Sequence, residues 1–276
     1  MAYIVTRNIA GICYALLKIA LYLIHKNCVN FATLDTLNLA CPNTTLLIMK
    51  GNNNSFKIFI LGLLSAIGPF SIDMYLPGFP NIAKDLQTDV SNVSLTLSAF
   101  FIGISAGQLL YGPLLDKYGR KKPLYFGLCL YIVASFGCAL STSVGMLVVC
   151  RFLQALGGCA GMVASRAMVR DMFDVKDNAK VFSLLMLVIG VSPIIAPTLG
   201  GYVSATLGWR YVFGVLVLIG LGILLLSFFK LPESKKPAEG YSLAPRFTLQ
   251  KFGEVFKQPQ LVIYTLTSAF TAAGLY

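Results

Sequence analysis

The sequence predicts an all-α membrane protein of six spanning helices followed by the start of a seventh. Three observations carry that expectation. Hydrophobic residues make up 57% of the chain and charged residues only 12%, roughly half the charged share usual in a soluble domain. Mean hydropathy is +0.75. The apolar residues gather into runs about as long as the ~20 residues that a spanning helix needs, and most charges sit in short stretches between them.

Composition also excludes function classes. The formal net charge is +11, but nucleic-acid binding needs bases clustered on a folded polar surface, and here they are dispersed in loops, so no nucleic-acid partner is expected. The seven cysteines are scattered without close metal-ligand spacing, and the single histidine, His25, lies outside the apolar pattern. No metal site is expected.

Taken in order, residues 1–48 form an extension unlike the rest. The run 9–24 is interrupted by Lys18 and ended by His25 and Lys26, which is too short to span and lacks a small-residue cleavage site close behind. Met49 is an alternative start, since Met49-Lys50-Gly51-Asn52 opens a short polar leader. Six apolar segments then fill 49–230, at 58–76, 93–115, 123–140, 144–168, 181–203 and 211–229. The polar stretch Pro232-Glu233-Ser234-Lys235-Lys236-Pro237 opens a linker, 231–259, in which Phe247, Phe252 and Phe256 mix with Lys251 and Lys257, a pattern that suits an interfacial helix. A seventh span begins within 260–276 and is cut short.

Lys and Arg set the orientation. The loops after spans 2, 4 and 6 hold fourteen of them, from Lys117 to Lys257, whereas the alternate loops hold only Lys84 and Arg210. The positive-inside rule places the N-terminus from Met49, and the loop after span 2, in the cytoplasm.

That loop is Gly112-Pro113-Leu114-Leu115-Asp116-Lys117-Tyr118-Gly119-Arg120-Lys121-Lys122, which reads as a compact charged turn at the membrane surface. Two further charges, Asp73 and Arg151, fall inside spans, where each costs about 2.5–3.5 kcal/mol unless paired or wet. At 1.5 Å per residue they lie about 8 and about 10 Å below the same face. They form a buried pair, or they line a water-filled cavity and exchange partners. Gln154, one turn beyond Arg151, extends the polar stripe. Gly157, Gly158 and Gly161 in span 4, and Gly190, Pro193, Pro197, Gly200 and Gly201 in span 5, allow close helix packing or local flexibility.

These stretches carry a resemblance. The turn at 112–122 resembles the loop signature of major facilitator superfamily transporters. Ser71-Ile72-Asp73-Met74-Tyr75-Leu76-Pro77 resembles the first-helix signature of the bicyclomycin and chloramphenicol resistance branch of drug:proton antiporters. Arg151-Phe152-Leu153-Gln154-Ala155-Leu156-Gly157 is similar to the fourth-helix motif, whose arginine is implicated in proton coupling. Residues 193–201 resemble the antiporter motif of the fifth helix, with Ala196 where glycine is general. The resemblance covers about residues 49–276.

It implies a twelve-helix fold in two six-helix bundles, of which this chain supplies the N-terminal one, with substrate bound between the bundles. It implies proton-driven efflux of drug-like molecules across a bacterial inner membrane, with no cofactor beyond the proton gradient. Asp73, Arg151 and Gln154 would couple protons and line the cavity. Gly112, Asp116, Gly119 and Arg120 would form a conformational switch, with Asp116 capping a helix of the opposite bundle and Arg120 paired with an acid at the end of span 4, where Asp171 is suitably placed. Pro193, Pro197, Gly200 and Gly201 would form the antiporter helix. A separately encoded second half or a second copy would complete the transporter. The alternatives are a transporter of another small solute and a truncated, non-transporting membrane protein. An enzyme is the least supported class, because the spans hold no histidine and no nucleophile beside a base. There is also no G-x-x-x-x-G-K-[ST] phosphate loop to imply ATP.

Overall fold

The computed structural model describes residues 52–234 and, beyond them, Ile263, Leu266 and Thr267, which are helical. The extension 1–48, the linker beyond Ser234 with its expected interfacial helix, and the rest of the seventh segment lie outside the described residues. The helices are α1 (Asn52–Asp73), α2 (Phe79–Asp85), α3 (Val90–Tyr118), α4 (Lys121–Ala139), α5 (Val144–Met172), α6 (Val175–Thr206) and α7 (Trp209–Lys230), with a 3-10 turn, Leu76–Gly78, between the first two. No strand occurs among the described residues. Six segments are long and apolar enough to cross a membrane, the first of them, Phe56–Asp85, running through α1, the 3-10 turn and α2.

Two boundaries differ from the sequence expectation. The charged stretch 112–122 is not a loop throughout, because α3 continues to Tyr118 and carries Gly112, Pro113 and Asp116 within it. A proline deep in a helix removes one backbone bond but need not end it, and charges on a helix end at a membrane surface remain hydrated. The turn itself is only Gly119 and Arg120. Gly119 has φ +83, a left-handed value that glycine adopts without a Cβ penalty, so the chain reverses there and α4 starts at Lys121. The second difference is at Asp73, which is the last residue of α1 rather than lying inside a longer helix.

Packing centres on α5, which lies against α1, α3 and α4, while α1 also meets α6 and α7, and α4 meets α7. Exchanging the first three spans with the last three maps α1–α6 onto α5–α3 and leaves α1–α5 and α4–α7 unchanged. The bundle is thus two three-helix units packed in the same way. Lipid offers no hydrophobic drive between helices, so association needs close approach through small residues. At Gly157 of α5 a Cβ would stand 2.5 Å from the Tyr131 backbone nitrogen and 2.6 Å from the Gly127 carbonyl. Any larger residue there would push α4 and α5 apart.

The end of the bundle away from the charged turn is tied by polar contacts. Asp85 Oδ2 accepts from Trp209 Nε1 at 2.9 Å and from Arg210 Nη1 at 3.3 Å, and Arg210 Nη2 donates to the Ser141 carbonyl at 3.3 Å. Ser143 caps α5, its hydroxyl accepting from the Met146 backbone N–H at 3.3 Å, as N-cap serines do.

Candidate functional site

Arg151 lies in the second turn of α5 and is fully buried. Its guanidinium carbon sits 4.3 Å from the centre of the Tyr75 ring, 4.2 Å from Phe100 and 5.8 Å from Phe213. These rings come from the turn just after α1, from α3 and from α7. Nη1 donates to Gln154 Oε1 at 2.8 Å and to the Ser71 carbonyl at 3.3 Å. Nε and Nη2 have no hydrogen-bond partner. Among the described residues no carboxylate pairs with this arginine. The charge is balanced instead by the electron-rich faces of the rings, which attract a desolvated cation by about 2 kcal/mol, and by neutral oxygens.

A hydroxyl network continues from this cage. Gln154 Nε2 donates to Ser135 Oγ at 2.7 Å, and Ser135 in turn donates to the Tyr131 carbonyl at 2.7 Å. Tyr131 and Ser71 share a hydroxyl–hydroxyl bond of 2.7 Å, and Tyr75 and Thr96 share one of 2.9 Å. All six residues are buried. Buried polar groups thus gather around the arginine, Tyr75 joining them through its ring rather than by a hydrogen bond, with the two arginine nitrogens as the unsatisfied exceptions.

Asp73 is not part of it. Residues two apart on a helix point about 200° away from each other, so when Ser71 faces α4 and α5, Asp73 faces away. Its carboxylate receives one bond, from the hydroxyl of Ser192 on α6, at 3.3 Å. Of the two arrangements open to Asp73 and Arg151, the buried pair is not formed. The acid is half-buried and stands at the junction of α1 with α6.

Along α6, Pro193 and Pro197 both lie inside a continuous helix. Ala196 and Gly200 are buried, and a Cβ on Gly200 would overlap the Met74 carbonyl; one on Gly201 would only touch Pro77 at 3.7 Å. Of this group, Gly200 makes the tight contact, against Met74, which follows Asp73 in sequence.

A second cluster surrounds the turn after α3. Arg120, almost fully buried, donates from Nε to Asp171 Oδ2 at 2.7 Å and from Nη1 to Asp116 Oδ1 at 3.2 Å. Asp171 lies in the last turn of α5. Glu233, just beyond α7, accepts from the backbone N–H of Arg120 at 2.7 Å and of Lys121 at 3.3 Å, placing a carboxylate on the positive end of α4. Gly112 is on α3 with open space where a Cβ would stand.

Sequence reasoning did not single out Ser192, Glu233 or the ring cage. Ser192 directly precedes Pro193 and could have been taken with that motif. Tyr75 stands inside the 71–77 motif, which assigns it no role, whereas Glu233, Phe100 and Phe213 have no such signal, because each meets its arginine only through the fold.

The bundle of six spans, its charged turn and its buried arginine define a membrane transporter fold. The chain belongs to the Major Facilitator Superfamily, whose family model matches residues 61–276, and is a multi-pass membrane protein. It is 40% identical over 222 residues to the uncharacterized MFS-type transporter YdgK of Bacillus subtilis, covering 79% of this chain and 55% of that protein. It is 36% identical over 219 residues to a bicyclomycin resistance protein homolog of Haemophilus influenzae, with 79% and 55% covered. To the multidrug resistance protein MdtL of Escherichia coli it is 36% identical over 200 residues, with 72% and 51% covered. The chain thus spans about half the length of the curated relatives it matches. The crystal structure of a mutant of the peptide transporter POT shares the fold, with a TM-score of 0.58 at 18% identity over 79% of this chain and 47% of that one.

Proposed function

We propose that the chain is the N-terminal bundle of a proton-driven exporter of drug-like molecules in a bacterial inner membrane, with its Met49 end in the cytoplasm. The observation that carries this reading is Asp73, an intramembrane acid that, among the described residues, is held by Ser192 and not neutralised by the arginine at similar depth. Intramembrane ionisable groups are expensive and mark ion pathways. An acid already locked to Arg151 would have no reason to take up a proton.

In this mechanism Asp73 takes a proton from the outer side and releases it inward, alternating with drug bound between this bundle and a second one. Arg151, with Gln154, supplies a fixed positive charge buried behind the ring cage, which disfavours a second cation near Asp73. The Arg120–Asp116–Asp171 cluster holds the inner ends of α3, α4 and α5 together in one conformation, and Gly112 leaves room for the facing bundle to approach. Pro193, Pro197, Gly200 and Gly201 let α6 pack on α1 while remaining deformable. The relatives named for bicyclomycin and multidrug resistance support drug-like substrates. The partner is a second six-helix bundle.

Drug accumulation in cells expressing the chain tests the reading. Energised cells should hold less drug than controls, and Asp73→Asn should raise accumulation to the control level. Low accumulation that persists in Asp73→Asn would remove Asp73 from the mechanism.

A further inference from the structure

The Ser192 hydroxyl is the sole hydrogen-bond donor that reaches the Asp73 carboxylate among the described residues, at 3.3 Å. Ser192 is itself 3% exposed, so its hydroxyl has no water to serve instead. Two turns further along α6, Gly200 closes on the Met74 carbonyl. The acid is therefore fixed at the contact between α1 and α6, with its neighbour in the chain clamped there.

The other charged or titratable groups around α1 are committed elsewhere. Arg151 on α5 serves Gln154 and the Ser71 carbonyl, Tyr131 on α4 bonds Ser71, and Tyr75 bonds Thr96. Arg210 on α7 pairs with Asp85. Cys150 and Cys159 on α5 are thiols, with Cys159 directed at the Ile104 carbonyl. Beyond Lys180, α6 brings only Tyr202, which is exposed.

We propose that Ser192 is a positioning residue for Asp73, holding its carboxylate against α6. This rests on the exporter reading for its biological meaning but not for its test. A hydroxyl donating to a carboxylate makes a stronger bond than one between neutral groups. Serine supplies that donor and alanine does not, while threonine keeps it.

Infrared difference spectroscopy of the full chain in lipid nanodiscs, titrated over pH, reads this directly. The protonated-carboxyl band of Asp73 is assigned by its loss in Asp73→Asn. In Ser192→Ala that band should move to higher frequency, because the hydrogen bond that weakens the carboxyl C=O is lost, whereas Ser192→Thr should stay close to the parent. An unchanged band in Ser192→Ala, an equal shift in Ser192→Thr, or no Asp73 band at all would overturn the proposal. Absence of export by the parent chain would sink the exporter reading and leave this spectroscopic result intact, so the two failures are distinguishable.

Discussion

Arg120 and Arg151 are the two buried arginines of the described bundle, 6% and 0% exposed, and they are neutralised in opposite ways. Arg120, at the turn between α3 and α4, holds two carboxylates, with a third on its backbone. Arg151 holds none and rests between aromatic rings. Ion pairs at a membrane edge fix geometry: each partner has one place to be, and the helices that carry them are locked together. A guanidinium held by π faces and neutral oxygens keeps its net charge and acts on whatever enters beside it. The first arrangement suits a latch, the second a site.

The largest expected effect comes from breaking the Arg151 cage while keeping its charge. Lysine is a compact point charge that cannot lie flat between two rings and donate to Ser71 and Gln154 together. Arg151→Lys should therefore lose about 2 kcal/mol or more of stability, seen as an earlier thermal unfolding transition in detergent, together with nearly all export. At the latch, Asp171→Asn leaves Arg120 with Asp116 alone. Because Asp171 keeps some solvent exposure, the expected loss is about 1–2 kcal/mol, again read from thermal unfolding.

Phe100→Leu sharpens the contrast from the other side. It keeps the volume roughly apolar and removes one ring face, so stability should fall by about 1 kcal/mol; no change would mean that the rings do not balance the charge. Glu233→Gln should have the smallest effect, about 0.5 kcal/mol, since an exposed carboxylate at a helix N-terminus contributes little more than that. Its loss should shrink further at high salt, which unfolding at two ionic strengths would detect.

Much of this was legible in the linear chain. The six spans follow from apolar length, and the pairing of Arg120 with Asp171 joins two stretches that the sequence already marked as charged ends of spans. The Arg151 cage was not legible, because Tyr75, in the turn after α1, meets Phe100 and Phe213 of two different helices only through the fold. The separation of Asp73 from Arg151 was hidden for another reason. Depth can be counted along a sequence, but which face of α1 meets α5 is settled by packing, and Ser71 rather than Asp73 won that face. The 3-10 turn and α2 after Asp73 were likewise absorbed into one apolar run, since Pro77 and Pro80 interrupt the helix without interrupting hydrophobicity.

The division of labour between the two clusters is tested most directly by drug-evoked proton movement in everted membrane vesicles acidified by respiration, followed with a pH-sensitive dye. Drug added to vesicles carrying the parent chain should collapse part of the pH gradient. Asp73→Asn should abolish that response, while Asp171→Asn should slow it without uncoupling drug from proton. A drug response that survives in Asp73→Asn, or one missing from the parent vesicles, would contradict the assignment of proton coupling to the intramembrane site.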